Sequence, residues 1–166
     1  MAESRIRRAT PEDAAAIVRL VRALAVYEKE PVENVKLRED EVVRDGFGAT
    51  PRFEVLIAEL DQEPVGFALF FPNYSTWEGS PGLYVEDVFV EERARGLGLG
   101  RRLMAEIAGI ARQRGCPRVE LSVLDWNPAR EFYQRIGFRQ QTDWLSFRLS
   151  GSALAALSKD AEAPAS

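Results

Sequence analysis

One stretch of the chain, Gly82–Arg102 (GLYVEDVFVEERARGLGLGRR), constrains the fold more than any other. Leu83 to Val90 is a β-branched and aromatic run, which predicts a buried strand. Arg95-Gly96-Leu97-Gly98-Leu99-Gly100-Arg101-Arg102 is a glycine-rich turn that opens a helix over Leu99 to Arg114. The apolar residues Leu99, Leu103, Met104, Ile107, Ile110 and Ala111 recur there at the spacing of one buried face. A strand, a glycine loop and a helix N-terminus together make an anion site. Glycine lets the backbone approach an oxyanion, the first-turn N–H groups lack intrahelical partners, and the helix dipole is positive there. Arg101 and Arg102 add charge for phosphate. The stretch therefore predicts a pyrophosphate cradle, with a glycine turn as mere helix punctuation the plain alternative. Its spacing is not G-x-x-x-x-G-K-S/T. A dinucleotide fold would place G-x-G-x-x-G directly after a first strand, with an acidic residue about 20 positions on.

The rest of the chain arranges itself around that stretch. Ser4 to Arg8 predicts a first strand, and Thr10-Pro11-Glu12-Asp13 a helix start running to about Tyr27, with Ile17, Val18, Leu20, Val21 and Leu24 inward. A loop with Pro31 leads to a second helix over Leu37 to Asp45, ended by Gly46-Phe47-Gly48. Phe53 to Leu60 and Val65 to Phe71 predict a hairpin closed by a tight turn at Asp61 to Pro64. Pro72 to Pro81 reads as an aromatic loop. After the glycine loop and its helix come a strand at Arg118 to Leu124 and a short helix capped at Asn127-Pro128, carrying Phe132 and Tyr133. Two more strands are expected at Phe138 to Thr142 and Trp144 to Leu149, and a helical turn at Gly151 to Leu157. Residues 1–157 are expected to form one domain and 158–166 a disordered tail.

Composition narrows the chemistry. A chain of 166 residues with 46% hydrophobic and 29% charged residues is sized and composed like one globular domain. The N-terminus shows no apolar signal region and no run approaches a membrane span, which predicts a cytoplasmic protein with no membrane partner. The single Cys116 rules out an internal disulfide, and its place before Pro117 suits a small structural residue. Histidine is absent, which removes the usual general base and most zinc sites; no metal is expected, and acid–base work falls to carboxylates, tyrosine, lysine or water. A net charge of −4 argues against nucleic acid as partner. Residues 28–63 hold eleven Asp/Glu against five Lys/Arg, whereas residues 93–118 hold seven Arg against Glu106 alone. That split suggests an acidic side for a cationic substrate and a basic side for a phosphorylated cofactor.

The glycine stretch resembles the acyl-CoA loop of the GNAT N-acetyltransferase superfamily, whose pattern Q/R-x-x-G-x-G/A is filled by Arg95, Gly98 and Gly100. Leu24-Ala25-Val26-Tyr27-Glu28, Asp45-Gly46-Phe47-Gly48, Tyr84-Val85-Glu86-Asp87-Val88-Phe89-Val90, Trp126-Asn127 and Phe132-Tyr133 extend the resemblance, from Ile6 to about Leu149, to the diamine (spermidine/spermine) and thialysine acetyltransferases. The resemblance implies an α/β (α+β) GNAT fold: a mixed, mostly antiparallel sheet of six to seven strands with a central parallel splay, flanked by helices. It further implies acetyl-CoA as co-substrate, a small cationic amine as acceptor and a homodimer. Two departures stand out. The segment from Asn127 to Tyr133 is one residue shorter than in the animal polyamine enzymes, and Glu120 stands where those carry a histidine. They leave the choice between polyamine and thialysine open.

The resemblance also implies roles. Glu86 is the base position, working through a water; strand alternation would turn Asp87 to the opposite face. Tyr133 is the acid that protonates the departing thiolate. Val88, Phe89 and Val90 are the expected backbone partners of the acyl group and pantetheine. Arg95, Gly96, Leu97, Gly98, Leu99, Gly100, Arg101, Asn127 and Arg130 complete the cofactor site. Tyr27, Glu28, Trp77, Glu86, Asp87 and Asp125 are candidates for gripping the amine by charge and cation–π contact. A protein lysine or N-terminal acetyltransferase, or a non-catalytic acyl-CoA-binding module, remain the other readings.

Overall fold

A computed structural model describes residues 1–161. Five strands form one sheet in the order β1 (Ser4–Arg8), β2 (Glu54–Leu60), β3 (Glu63–Ser75), β4 (Ser80–Val90) and β5 (Val119–Leu121). The first three pairings are antiparallel and the β4–β5 pairing is parallel. The helices are α1 (Ala14–Tyr27), α2 (Glu39–Phe47), α3 (Leu99–Gln113), α4 (Ala129–Arg135) and α5 (Gly151–Ser158). The mixed α/β class follows as expected. The chain forms two compact units, Met1–Arg130 and the remainder from Glu131.

In the first unit the sheet carries its two apolar faces as the alternation demands. Ile17, Leu20, Leu24 and Val42 from α1 and α2 pack with Val55, Ile57, Phe67, Leu69 and Phe89 in one core cluster. Leu56, Phe70, Leu83 and Val85, at 3% exposure or less, fall outside that cluster, as do Leu99, Leu103 and Ile107 of α3. The α1 region begins with a 3₁₀ turn at Pro11–Asp13, so the helix proper starts at Ala14, three residues later than a cap at Thr10 suggests. Buried Asp13 accepts from the Thr10 N–H (2.8 Å) and from Arg7 Nη1 and Nη2 (2.7 and 2.8 Å). Arg7 also donates to Glu59 (2.6 Å), so one guanidinium ties β1 to β2 and to the start of α1. Its hydrogen bond is the main cause holding the Asp13 carboxyl below its ordinary range.

Three expectations need correction. The turn between β2 and β3 is the two-residue Asp61-Gln62, both at positive φ (51° and 68°), and β3 then runs to Ser75. The aromatic loop expected at 72–81 is therefore a long hairpin whose turn is residues 76–79. Pro72 is tolerated because β2 ends its pairing at Phe70, so no donor is needed on that side of β3 beyond it. The third correction is the strand count, five among the described residues rather than six to seven. Residues 138–142 and 144–149 form no strand. Trp144, Leu145 and Phe147 there are 70–93% exposed, which is not the burial that a core strand gives its apolar residues.

The second unit holds the C-terminal part of α4 and all of α5. Tyr133 packs between Phe132 (ring centroids 5.2 Å apart) and Phe138 (5.7 Å, edge-on). Gly137, at φ 109°, ends α4, with Phe138 N–H returning to Tyr133 O at 3.0 Å. The expected tail 158–166 splits: Ser158 closes α5, and residues 162–166 lie outside the described residues.

Candidate functional site

The parallel ladder between β4 and β5 covers only Leu83–Val85 against Val119–Leu121. Beyond Val85, β4 continues to Val90 paired to β3 alone, which is the splay the sequence reading anticipated. The register on the β3 side shifts at the same place. Leu69 pairs with Asp87 but Phe70 pairs with Val85, leaving Glu86 as an extra residue, a β-bulge. Cross-strand partners share a face. Asp87 thus lies on the face of Leu69 and, two residues on, Phe89, which is the α1/α2 side. Val85 goes with Phe70 to the other side. The bulge breaks the alternation on which opposite faces for Glu86 and Asp87 were argued, and the Glu86 charge is felt at Asp87.

Burial pushes the Asp87 carboxyl up to about 7, with the charges of Glu86 and then Glu28 adding to it. Glu28, just past the end of α1, is raised by burial and by Glu30. Glu86 itself is exposed at the bulge. Three of the acids singled out in the sequence are thus electrostatically coupled.

Aromatic rings border them. The Tyr27 ring lies 6.2 Å from Phe89 and 6.3 Å from Trp126, and its hydroxyl donates to Asn127 Oδ1 (3.2 Å). Asn127, buried, also accepts from Ala129 N–H (2.9 Å) on that oxygen, so it caps α4 while holding Tyr27. Arg130 donates to the Asp125 carbonyl (2.7 Å), which leaves the exposed Asp125 side chain at the edge of this group. Trp77 is not brought here. It is 89% exposed in the turn beyond Ser80, and six residues of β4 at about 3.3 Å each separate Ser80 from Glu86.

The glycine loop adopts the geometry an anion needs. Gly96 and Gly98 sit at φ 80° and 74°, and a Cβ at either would meet nothing within 4 Å, so open space lies over the loop. Gly98 is the N-cap of α3, and the first helical bond is Arg102 N–H to Gly98 O (3.0 Å). The amides of Leu99, Gly100 and Arg101 precede it and carry no intrahelical bond. Leu97 is half exposed. The arginines divide the work. Arg102 ties α3 to Ser4 Oγ (2.7 Å), and Arg101 stands exposed beside the cradle. Arg95 donates from Nε to Val90 O (3.0 Å) and lies 4.8 Å from the Tyr27 ring centre and 5.8 Å from that of Phe89. Its guanidinium thus joins the glycine loop to the Tyr27 and Phe89 rings.

Sequence reasoning missed two participants. Trp126 packs on Tyr27, and Lys29 places its ammonium 4.1 Å from the Trp126 ring centre. Trp126 stands between Asp125 and Asn127, both already candidates, and that position was the available signal. Glu120 is engaged by Arg118 (3.2 Å) and Asn73 (3.3 Å). A hollow of about 320 Å³ between β1, β2 and α3 contains none of the candidate residues. No group of three or more metal-ligating side chains occurs among the described residues, and no helix there is long and apolar enough to cross a membrane.

Residues 19–138 match the Acetyltransferase (GNAT) family. The chain is 38% identical to the thialysine N-epsilon-acetyltransferase of Bos taurus, over 93% of this chain and 96% of that protein. It is 33% identical to the spermidine/spermine N(1)-acetyltransferase-like protein 1 of Homo sapiens, over 90% of this chain and 23% of that one. Among solved structures, an integron cassette protein from the mobile metagenome of V. cholerae superposes with a TM-score of 0.78 at 25% identity, covering 95% and 98% of the two chains.

Proposed function

The chain belongs to the GNAT acetyltransferase family, and from that premise we propose that it transfers the acetyl group of acetyl-CoA to a small cationic amine of the thialysine or polyamine kind. The observation that carries this reading is the coupled trio Glu28, Glu86 and Asp87, bordered by Tyr27 and Trp126, at the point where β4 parts from β5. Carboxylates and aromatic faces bind ammonium groups, and the glycine loop leads from the same strand.

An ammonium with a pKa of about 10.4 must lose a proton before its nitrogen attacks a thioester. Glu86, exposed on the bulge, takes that proton through a water, and Asp87 beside it can hold a proton near neutral pH. The nitrogen lone pair attacks the acetyl carbonyl. The oxygen's growing charge is met on the unpaired side of β4 by backbone N–H groups of Val88 and Val90, while that of Phe89 turns to β3. The C–S bond then breaks, Tyr133 gives its phenolic proton to the leaving thiolate, and the extra proton left on the acylated nitrogen returns through water to the phenolate, leaving a neutral amide. Direct transfer in a ternary complex follows, since no cysteine or histidine stands among the proposed residues to carry an acetyl group.

Gly96, Leu97, Gly98, Leu99, Gly100 and Arg101 hold the pyrophosphate by amides and charge, Arg95 and Asn127 shape that site from behind, and Arg130 borders it. Tyr27, Glu28, Asp87 and Asp125 hold the amine. We read residues 1–157 as one acetyltransferase domain, a reading supported by a family match that runs across the border between the two compact units. The protein is proposed to work in the cytoplasm as a homodimer. Coenzyme A release assayed across diamines, polyamines, thialysine, monoamines and lysine peptides tests the substrate. Small amines with a second cationic group should show the highest kcat/KM, and a win for lysine peptides would move the assignment to proteins.

A further inference from the structure

Lys29 is placed in an unusual way. It follows the end of α1 with φ 64°, a left-handed backbone that a residue with a long side chain seldom adopts, and its N–H closes on Val26 O (3.1 Å). Its ammonium lies over Trp126, 4.1 Å from the ring centre, and among the described residues it makes no ion pair, although Glu28 and Glu30 flank it in sequence. An exposed cation parked on an aromatic face keeps its donors for something else.

What that something is follows from charge and reach, granted the function proposed above. The trio Glu28, Glu86 and Asp87 suits ammonium groups. From Phe89, two residues beyond Asp87, the rings step 6.2 Å to Tyr27 and 6.3 Å to Trp126, where Lys29 waits. A ligand carrying only positive charges gains nothing from a lysine at that end and is repelled by it. An α-amino acid with a terminal second amine carries its ammonium and its carboxylate about 7 Å apart when extended, from bonds of about 1.5 Å. With the terminal ammonium at Glu86 and Asp87, the α-ammonium and α-carboxylate reach the α1 end, where Glu28 and the Lys29 ammonium over Trp126 receive one each. We infer that Lys29 is a specificity-determining residue that receives the carboxylate of an amino-acid substrate, so that this site selects α-amino acids bearing a terminal amine over diamines and polyamines. Trp126 holds the ammonium in place beforehand, which reduces the ordering lost on binding.

The test uses a pair of substrates that differ only in the carboxylate: S-(2-aminoethyl)-L-cysteine and bis(2-aminoethyl) sulfide. Both are assayed with the full chain at saturating acetyl-CoA, in wild type, Lys29→Met, Lys29→Arg and Lys29→Glu. Wild type should prefer the amino acid. Lys29→Met should raise its KM about 10-fold or more with kcat within about twofold, and leave the KM of the diamine unchanged or lower. Lys29→Arg should keep the preference and Lys29→Glu should reverse it. An equal change for both substrates would mean that Lys29 only supports Trp126, and a lower KM for both would make it a plug on the ring; either overturns the inference. If wild type acetylates both without favouring the amino acid, the inference alone falls. If it acetylates neither, while acetyl-CoA still raises its melting temperature, the proposed amine substrate falls first and the inference with it.

Discussion

Asp87→Asn separates the consequences of burial from those of catalysis. The Asp87 carboxyl is held at about 7 in the folded protein against an ordinary value of 3.8. The folded state therefore binds this proton more tightly than the unfolded chain does. Its contribution is most favourable below about pH 4, is lost as pH rises toward 7, and stays lost above it. A shift of about three units corresponds to roughly 4 kcal/mol at 1.36 kcal/mol per unit, a ceiling reached only in a dry site. Asp87 keeps partial exposure, so about half of that, on the order of 2 kcal/mol, is the expected cost of the ionised form. Asparagine has nearly the same shape and no charge to desolvate. The variant should match wild type at pH 4 and exceed it by roughly 4–8 °C in Tm at pH 8, at about 2–4 °C per kcal/mol for a chain of this size. Differential scanning calorimetry across pH 4 to 8.5 in low salt reads this directly. A small diamine at saturating concentration should narrow the gap, because a bound ammonium restores the stability of the carboxylate. A gap independent of pH, or a variant less stable than wild type at pH 8, would refute a carboxyl raised by burial and like charge.

Gly98→Asp should abolish the rise in Tm that acetyl-CoA gives wild type, since it sets an anion and a strained left-handed residue at the N-cap of the α3 cradle. Thermal shift at millimolar acetyl-CoA checks it, and a retained rise would move the pyrophosphate elsewhere. Tyr133→Phe should lower kcat by roughly 10²–10³-fold with acetyl-CoA affinity nearly intact, because a proton donor to the leaving group acts mainly in the transition state. Steady-state kinetics with an equilibrium binding measurement decide it; an unchanged kcat assigns the proton to water or another group.

Periodicity made the central parts of the fold legible. The face of α3, the β2–β3 hairpin and the strand up to Val90 all repeat an apolar pattern that burial enforces. What escaped was whatever a local pattern does not encode. The bulge at Glu86 leaves no mark on composition, since one extra residue in VEDV looks like continued strand. Residues 72–75 and 80–81 pair because a hairpin partner lies across from them, which outweighs proline and glycine in the local reading. Trp144 to Leu149 failed the other way, an apolar run expected to finish the sheet that forms no strand. In the site, Tyr27, Glu28, Glu86 and Asp87 could be named from charge and resemblance, and the structure brings them together. The stacking of Arg95 on Tyr27 and of Lys29 on Trp126 joins residues 68 and 97 positions apart, a relation only the folded chain displays. Trp77 shows the converse, an aromatic beside Glu78 in sequence that the hairpin carries to its tip.

The bulge has a genetic meaning as well as a geometric one. A single extra position takes Glu86 out of the ladder and leaves the partners of Val85 and Asp87 undisturbed. Deleting Glu86 would remove the bulge together with its carboxylate and still leave Asp87 opposite Leu69 and Phe89 opposite Phe67, so the α1/α2 face of β4 would keep its residues. A one-codon deletion there is then as mild for the core as a substitution, and both are read in kinetics first. An indel of one residue is thus the smallest mutational step between an ordinary core strand and one that delivers two neighbouring acids to a cleft.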